Sequence, residues 1–350
     1  MRKLLGPSLL FCFLSLVVAP LSAEQRPNSC PAHITSCGCV ITSSGTYVVD
    51  NNLNASQSNA PNCIEIAADH TVLNLKGLEV QGNGTGIGIL IRHSADHTVV
   101  QGGDEGSGPD GPGRIQNSLY QAAGDQASIF MWNIAIEDDA DYAVIELFRQ
   151  LGGNKFQTTE GNNTGLFFNG VSGSIAGDFD ASYNLVAGVI ATNSSRLNLF
   201  NFSATGPNPD AGRKNIQPIG VMFDNTNEST IGTASMADNA AYGLWLARSS
   251  KNVVLDSNGT ARNQDTGILI GCGSLHCTGN QRSDDNRVTT GGAKDNVNYG
   301  IVIENKNHNN VISVTHNDGN GKTDMVDLNN KCDSNIWYNN TGTSNQNCIH

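Results

Sequence analysis

The sequence predicts an all-β solenoid, one chain wound into stacked coils of short parallel strands, and three observations predict it. A glycine followed by an apolar triplet recurs at Gly165-Leu-Phe-Phe168, Gly188-Val-Ile-Ala191, Gly220-Val-Met-Phe223, Gly243-Leu-Trp-Leu246, Gly267-Ile-Leu-Ile270 and Gly300-Ile-Val-Ile303, at spacings of 23, 32, 23, 24 and 33 residues. Self-similarity at a nearly fixed period marks a repeat architecture, the long spacings carrying insertions. About nine residues after the glycine comes a second strand signal, as in Leu199-Phe200, Thr230-Ile231, Val253-Val254, Val288-Thr289 and Val311-Ile312, often behind an Asn (Asn198, Asn252, Asn286, Asn310). Third, 39 glycines, abundant Asn and Thr and only 15% charged residues describe a chain poor in helix formers.

Strands this short, each bounded by Gly, Asn, Ser or Asp, cannot pair as tight hairpins at this period. Stacking each coil on the last instead sets a residue beside its equivalent one period on, in a parallel ladder with about 4.8 Å between strands. Side-chain alternation then turns Leu244 and Leu246, or Ile301 and Ile303, inward. Gly and Asn are expected at the corners because they tolerate positive φ. Stacked Asn side chains can also bond one another along the stack. An ordinary sandwich of Asn- and Gly-rich strands is the competing fold, but it has no reason to keep the glycine in step.

This repeat grammar, from roughly Thr71 to Asn340, resembles the right-handed parallel β-helix proteins: pectate lyases, mannuronan epimerases and the periplasmic β-helix proteins of copper-enzyme assembly. The resemblance implies a single-stranded right-handed parallel β-helix with protected, disulfide-tied ends. It implies little about activity, since one fold hosts many. No local motif of the lyases or of polygalacturonases is present, and neither is the Asp-Pro-His run of the epimerases; Asp96-His97 is too little to replace it.

In chain order, Met1-Arg-Lys3, an apolar run to Pro20 and then Leu21-Ser-Ala23 read as a signal peptide over 1–23, which places the protein outside the cell or in the periplasm. No second long apolar stretch exists, so no transmembrane span is expected. Residues 24–350 read as one β-helix domain, with a cap and first coil over 24–70, coils over 71–340 and a tail over 341–350. Four cysteines lie near the start (Cys30, Cys37, Cys39, Cys63) and four toward the end (Cys272, Cys277, Cys332, Cys348). An even count in an exported chain reads as disulfides. The sequence does not fix the pairing; Cys332–Cys348 and Cys272–Cys277 are the expected bridges, with others among the first four. A metal site at Cys37-Gly-Cys39 with His33 is the alternative. Asn133-Ile-Ala-Ile136 and Ala143-Val-Ile145 continue the repeat through the region that fits it least.

Chemistry is sought in columns of equivalent positions and in loops. The Gly/Pro-rich loop 102–113 and the loop 203–218 both follow a second strand and should wall a groove on one side, with Arg213 as a candidate ligand-binding residue; the loop 271–285 leaves another corner. Glu137-Asp-Asp-Ala-Asp141 is the densest carboxylate cluster, and Arg92 shares the column of Asp139 one coil earlier. Asp138 and Asp139 with Arg92 are the candidate catalytic set, able to place an acid and a base across a glycosidic bond. Glu137 and Asp141 are candidate ligand contacts, and Glu137, Asp138 and Asp141 are candidate calcium ligands. A solvated acidic corner with one ion pair is the plainer reading.

The middle residues of the triplets (Phe167, Ile190, Met222, Trp245, Leu269 and Val302) are apolar where they should face outward. Such a stripe would stack sugar rings, dock a subunit or lie under a loop; Phe167 and Trp245 are the candidate sugar contacts. A net charge of −12 argues against nucleic acid as a partner. The functions left open are an exported binder or processor of carbohydrate, acidic polysaccharide included, as an enzyme a lyase, epimerase or hydrolase; a non-catalytic adhesion or scaffold protein; and a periplasmic metal-handling helper.

Overall fold

A computed structural model describes residues 28–349 apart from 56–57, 59, 82–85, 94, 103–112, 117–131, 137–139, 141, 152–163, 185, 207–216, 256–258, 274–280 and 315. The proposed signal segment, the acidic cluster residues Glu137, Asp138, Asp139 and Asp141, and Arg213 and Cys277 lie outside the described residues.

Two parallel sheets run the length of the stack. Among the described residues the first joins twelve strands, each paired with its equivalent one coil on; its members include Thr164–Asn169, Ala187–Thr192, Ile219–Asp224, Tyr242–Ala247, Thr266–Ile270 and Tyr299–Ile303. The second contains the strands that follow the first corner, such as Asn198–Ser203, Val253–Leu255, Arg287–Thr290 and Val311–Val314. Among the described residues the strand pairings are parallel, and the repeat is in register: Leu244 lies beside Ile268 and Ile268 beside Ile301. The chain is therefore a right-handed parallel β-helix, as the repeat predicts. Inward side chains of both sheets, among them Val189, Leu244, Ile268, Leu199, Val254 and Val288, are fully buried in one apolar cluster that extends from Cys30 to Ile349.

The repeated glycine is present for a different reason from the one expected. Gly188, Gly220, Gly243, Gly267 and Gly300 do not have positive φ. Their column is instead too crowded for a side chain: a Cβ on Gly243 would lie 2.6 Å from the Met236 carbonyl oxygen and 2.8 Å from that of Gly267. Positive φ falls on other residues. Asn193, Asn225 and Arg248 adopt it (φ 50, 51 and 50) directly after their first-sheet strands. His70, His97, Tyr142, Arg196, Glu228, Lys251, Asp285 and Asn309 adopt it two residues before second-sheet positions that are in register.

Buried amides line both corners, bonding one another along the stack as expected. Before the first sheet, side-chain N–H groups pass from Gln217 to Asn239 (2.9 Å), Asn263 (3.1 Å), Asn296 (3.0 Å) and Asn320 (2.9 Å). Before the second sheet they pass from Asn252 to Asn286 (3.2 Å), Asn310 (3.0 Å) and Asn335 (3.2 Å). In each step from one Asn to the next the receiving Oδ1 also accepts the backbone N–H of the donor residue, as Asn263 does from Asn239 at 2.9 Å. Such a row has a direction, so its last N–H group needs an acceptor. Carboxylates supply it: Asn320 donates to Asp324 at 2.7 Å and Asn335 to Asp327 at 3.1 Å.

Disulfides tie both ends. Cys30 bonds Cys39, Cys37 bonds Cys63 and Cys332 bonds Cys348. Cys272 is also disulfide-bonded. These bonds overturn the alternative of a metal site at Cys37 and Cys39: both sulfurs are consumed, and His33 Nδ1 lies 2.8 Å from Asp50 instead. The physical reason is that neighbouring coils bring these positions within disulfide range, with Cα atoms 4.9 and 4.2 Å apart.

Candidate functional site

Arg92 directly follows the strand Ile87–Ile91, and its guanidinium is taken by the coil before it. Its Nε donates to Glu65 at 2.8 Å, and Glu65 also accepts from Asn62 Nδ2 at 2.8 Å. The Glu65 side chain is only 8% exposed, so it requires this pairing. Arg92 is thereby engaged away from the side on which Asp139 was expected. Glu65 escaped the sequence reading because it precedes the regular repeats, although it occupies the outward column beside Leu90.

The outward apolar column is real, and around Trp245 it lies under a loop, one of the three readings its pattern allows. Phe167, Ile190 and Met222 are half-buried, whereas Trp245, Leu269 and Val302 are 4%, 5% and 8% exposed. The start of the loop 271–285 lies on Trp245: the indole N–H donates to the Gly271 carbonyl at 2.8 Å, and a Cβ on Gly273 would stand 2.9 Å from the ring. Glu304 fixes the same turn by accepting the Gly273 N–H at 2.9 Å. An indole in a sheet face needs both cover and an acceptor for its N–H, and the loop provides the two together. Half-buried Tyr242 packs at 5.2 Å from the Trp245 ring. Burial, followed by the charges of Asp265 and Glu304, pushes its hydroxyl pKa up and keeps it a proton donor.

The groove expected between loops 102–113 and 203–218 falls mainly on segments outside the described residues. A polar cleft of about 440 Å³ lies instead at the corner between the two sheets, where the loop 271–285 leaves. Asn193, Asn225 and Arg248 line it from successive coils, each one residue past the end of a first-sheet strand. Asn227 and Ser250 line it two residues further on, and Gln281 and Arg282 enter from the returning loop. Asn225 Nδ2 donates to Asn193 Oδ1 at 2.9 Å, and Ser250 N–H to Asn227 Oδ1 at 2.7 Å. Arg248 clasps Asp224 with two N–H groups, its Nε at 2.6 Å, which neutralises its charge and holds its own pKa up. The cleft thus offers amides, a hydroxyl and guanidinium groups in rows separated by the coil rise, and its lining among the described residues is polar throughout. In the sequence its Asn residues look like ordinary corner formers. The usable signal was their position beside the one insertion that follows a first-sheet strand.

Among the described residues no group of three or more His, Cys, Asp and Glu could hold a metal ion, and no helix is long and apolar enough to cross a membrane. The candidate calcium ligands are not among those residues.

The fold and cleft define a β-helix protein with a polar corner site. No protein-family model and no curated protein matches the sequence. Among solved structures it is similar to the Dettilon tailspike protein (11% identity, TM-score 0.48), covering 88% of this chain and 53% of that one, so this chain spans about half the tailspike's length. It is similar to a double mutant of the periplasmic alginate epimerase AlgG (12%, TM-score 0.47; 88% and 76% covered) and to the A-module of the Azotobacter vinelandii mannuronan C-5 epimerase AlgE6 (11%, TM-score 0.34; 89% and 90%). Scores this low carry none of those proteins' activities to this chain.

Proposed function

We propose that this is an exported β-helix protein that binds acidic polysaccharide in the corner cleft. The cleft itself carries the reading: hydrogen-bonding groups from successive coils, repeating at the strand spacing of about 4.8 Å, suit a polymer of hydroxyl-bearing units. The Arg282 guanidinium in it favours a negative ligand locally, on a chain whose net charge is −12. Disulfides at both ends support an oxidising compartment. The apolar column that an adhesive role would have used is occupied around Trp245 by the protein's own loop. The test is a glycan array with and without calcium, followed by ultraviolet detection of unsaturated ends on polyuronates. Retention of acidic over neutral glycans is expected, with new absorbance only if binding leads to lyase chemistry. Silence across the array overturns the proposal.

A further inference from the structure

Several arginines of this helix are neutralised by carboxylates: Arg92 by Glu65, Arg248 by Asp224 and Arg262 by Asp238. Arg282 is arranged differently. Its Nη1 lies 3.2 Å from Nδ1 of His308, and Nε2 of that ring lies 3.1 Å from Oδ2 of Asp333. A guanidinium can only donate, so His308 Nδ1 must accept, and the ring proton sits on Nε2, where it donates to Asp333. A neutral imidazole therefore stands between the guanidinium and the carboxylate. The backbone holds the ring in place, since the His308 N–H donates to Asp284 Oδ1 at 2.6 Å. Of the two arginines in the cleft, one is neutralised at contact and the other is steered by an uncharged partner.

We infer that Arg282 makes the cleft selective for sugars bearing a carboxylate, and that His308, fixed by Asp333, is the positioning residue that presents it. This deepens the polysaccharide reading and rests on it. With Arg248 paired to Asp224, the remaining lining groups among the described residues are amides and a hydroxyl, which do not distinguish a uronate from its ester. Arg282 does, because a charge-assisted bond to a carboxylate is lost when that group is esterified.

The test uses the full chain with tri-galacturonate and its methyl ester as probes. Wild type should prefer the acid, and R282Q should lower affinity for the acid by about tenfold or more while leaving the ester within about twofold. H308F should reproduce most of that loss, whereas H308Q, whose amide oxygen can still accept from Arg282, should restore the preference. Equal losses on acid and ester in R282Q, or an undiminished preference in H308F, overturn the inference. If wild type binds neither probe, the uronate reading fails. The positioning claim is then decided alone by the nitrogen spectrum of the His308 ring at neutral pH: a proton on Nε2 supports it and a proton on Nδ1 overturns it. Matching thermal transitions show that the variants fold.

Discussion

Replacing Asp327 with Ala tests the idea that the amide rows need a charged terminus. The carboxylate is fully buried and accepts four hydrogen bonds: Asn329 N–H and Nδ2 at 2.9 Å each on Oδ1, and Asn335 Nδ2 and Trp337 Nε1 at 3.1 Å each on Oδ2. A buried donor left without an acceptor costs about 1–3 kcal/mol. Four such groups do not add in full, because the last coil can relax and admit water, so about 3–5 kcal/mol is expected for D327A. D327N keeps the shape and one oxygen but sets an NH2 against one pair of donors, for about 2 kcal/mol. Stacked repeats interact with their neighbours, so the damage should stay local. Native-state hydrogen exchange is the assay. The Ile336 and Tyr338 amides, which bond Asn310 and Ile312, should lose protection, while the Asp50 amide on Ile34 at the opposite end should not. Uniform loss along the helix, or no loss with unchanged urea unfolding, would refute the reasoning.

Three further outcomes are expected. Burial pushes the Asp324 carboxyl up, but the Thr343 N–H and hydroxyl and the Asn320 amide outweigh it and hold the pKa below the usual range. Its contribution is therefore present above the unfolded value of about 3.9 and lost as pH falls toward the depressed one, so protection of the last coil should drop below about pH 4 and D324N should flatten that dependence. Gly243→Ala should cost about 3 kcal/mol in urea unfolding, because its Cβ meets backbone oxygens that cannot move without shifting a coil. Trp245→Ala should cost about 3–5 kcal/mol by removing a buried ring and its bond to Gly271, read from the shift in the urea midpoint; a change below about 1 kcal/mol would show that the loop does not depend on it.

The architecture was legible because it is written in positions that recur. Gly243, Gly267 and Gly300 stack as their spacing implies, and Leu244, Ile268 and Ile301 all face inward. The reason for the glycines was not legible, since close approach between coils is a property of the stack and not of one strand. A loop over the apolar stripe is among the readings the pattern allows, but which loop covers Trp245 was not legible, because the period alone does not give the path of an inserted segment. The Arg92–Glu65 pair was not legible because Glu65 precedes the regular repeats. The cleft was hidden by composition. In a chain this rich in Asn, the residues that line it, such as Asn225 and Asn227, look like the residues that build corners. The Arg282–His308–Asp333 chain spans three coils through positions that share no motif.

The one-way order of the amide rows makes interior coils interchangeable and the final one unique. Each middle coil offers the same acceptor to its predecessor and the same donor to its successor, so a copy inserted between Asn239 and Asn296 would find both partners waiting. A chain cut before Asp324 and Asp327 would end on hydrogens with nowhere to go. Lengthening by internal duplication is thus chemically neutral, while the terminus has to be inherited intact.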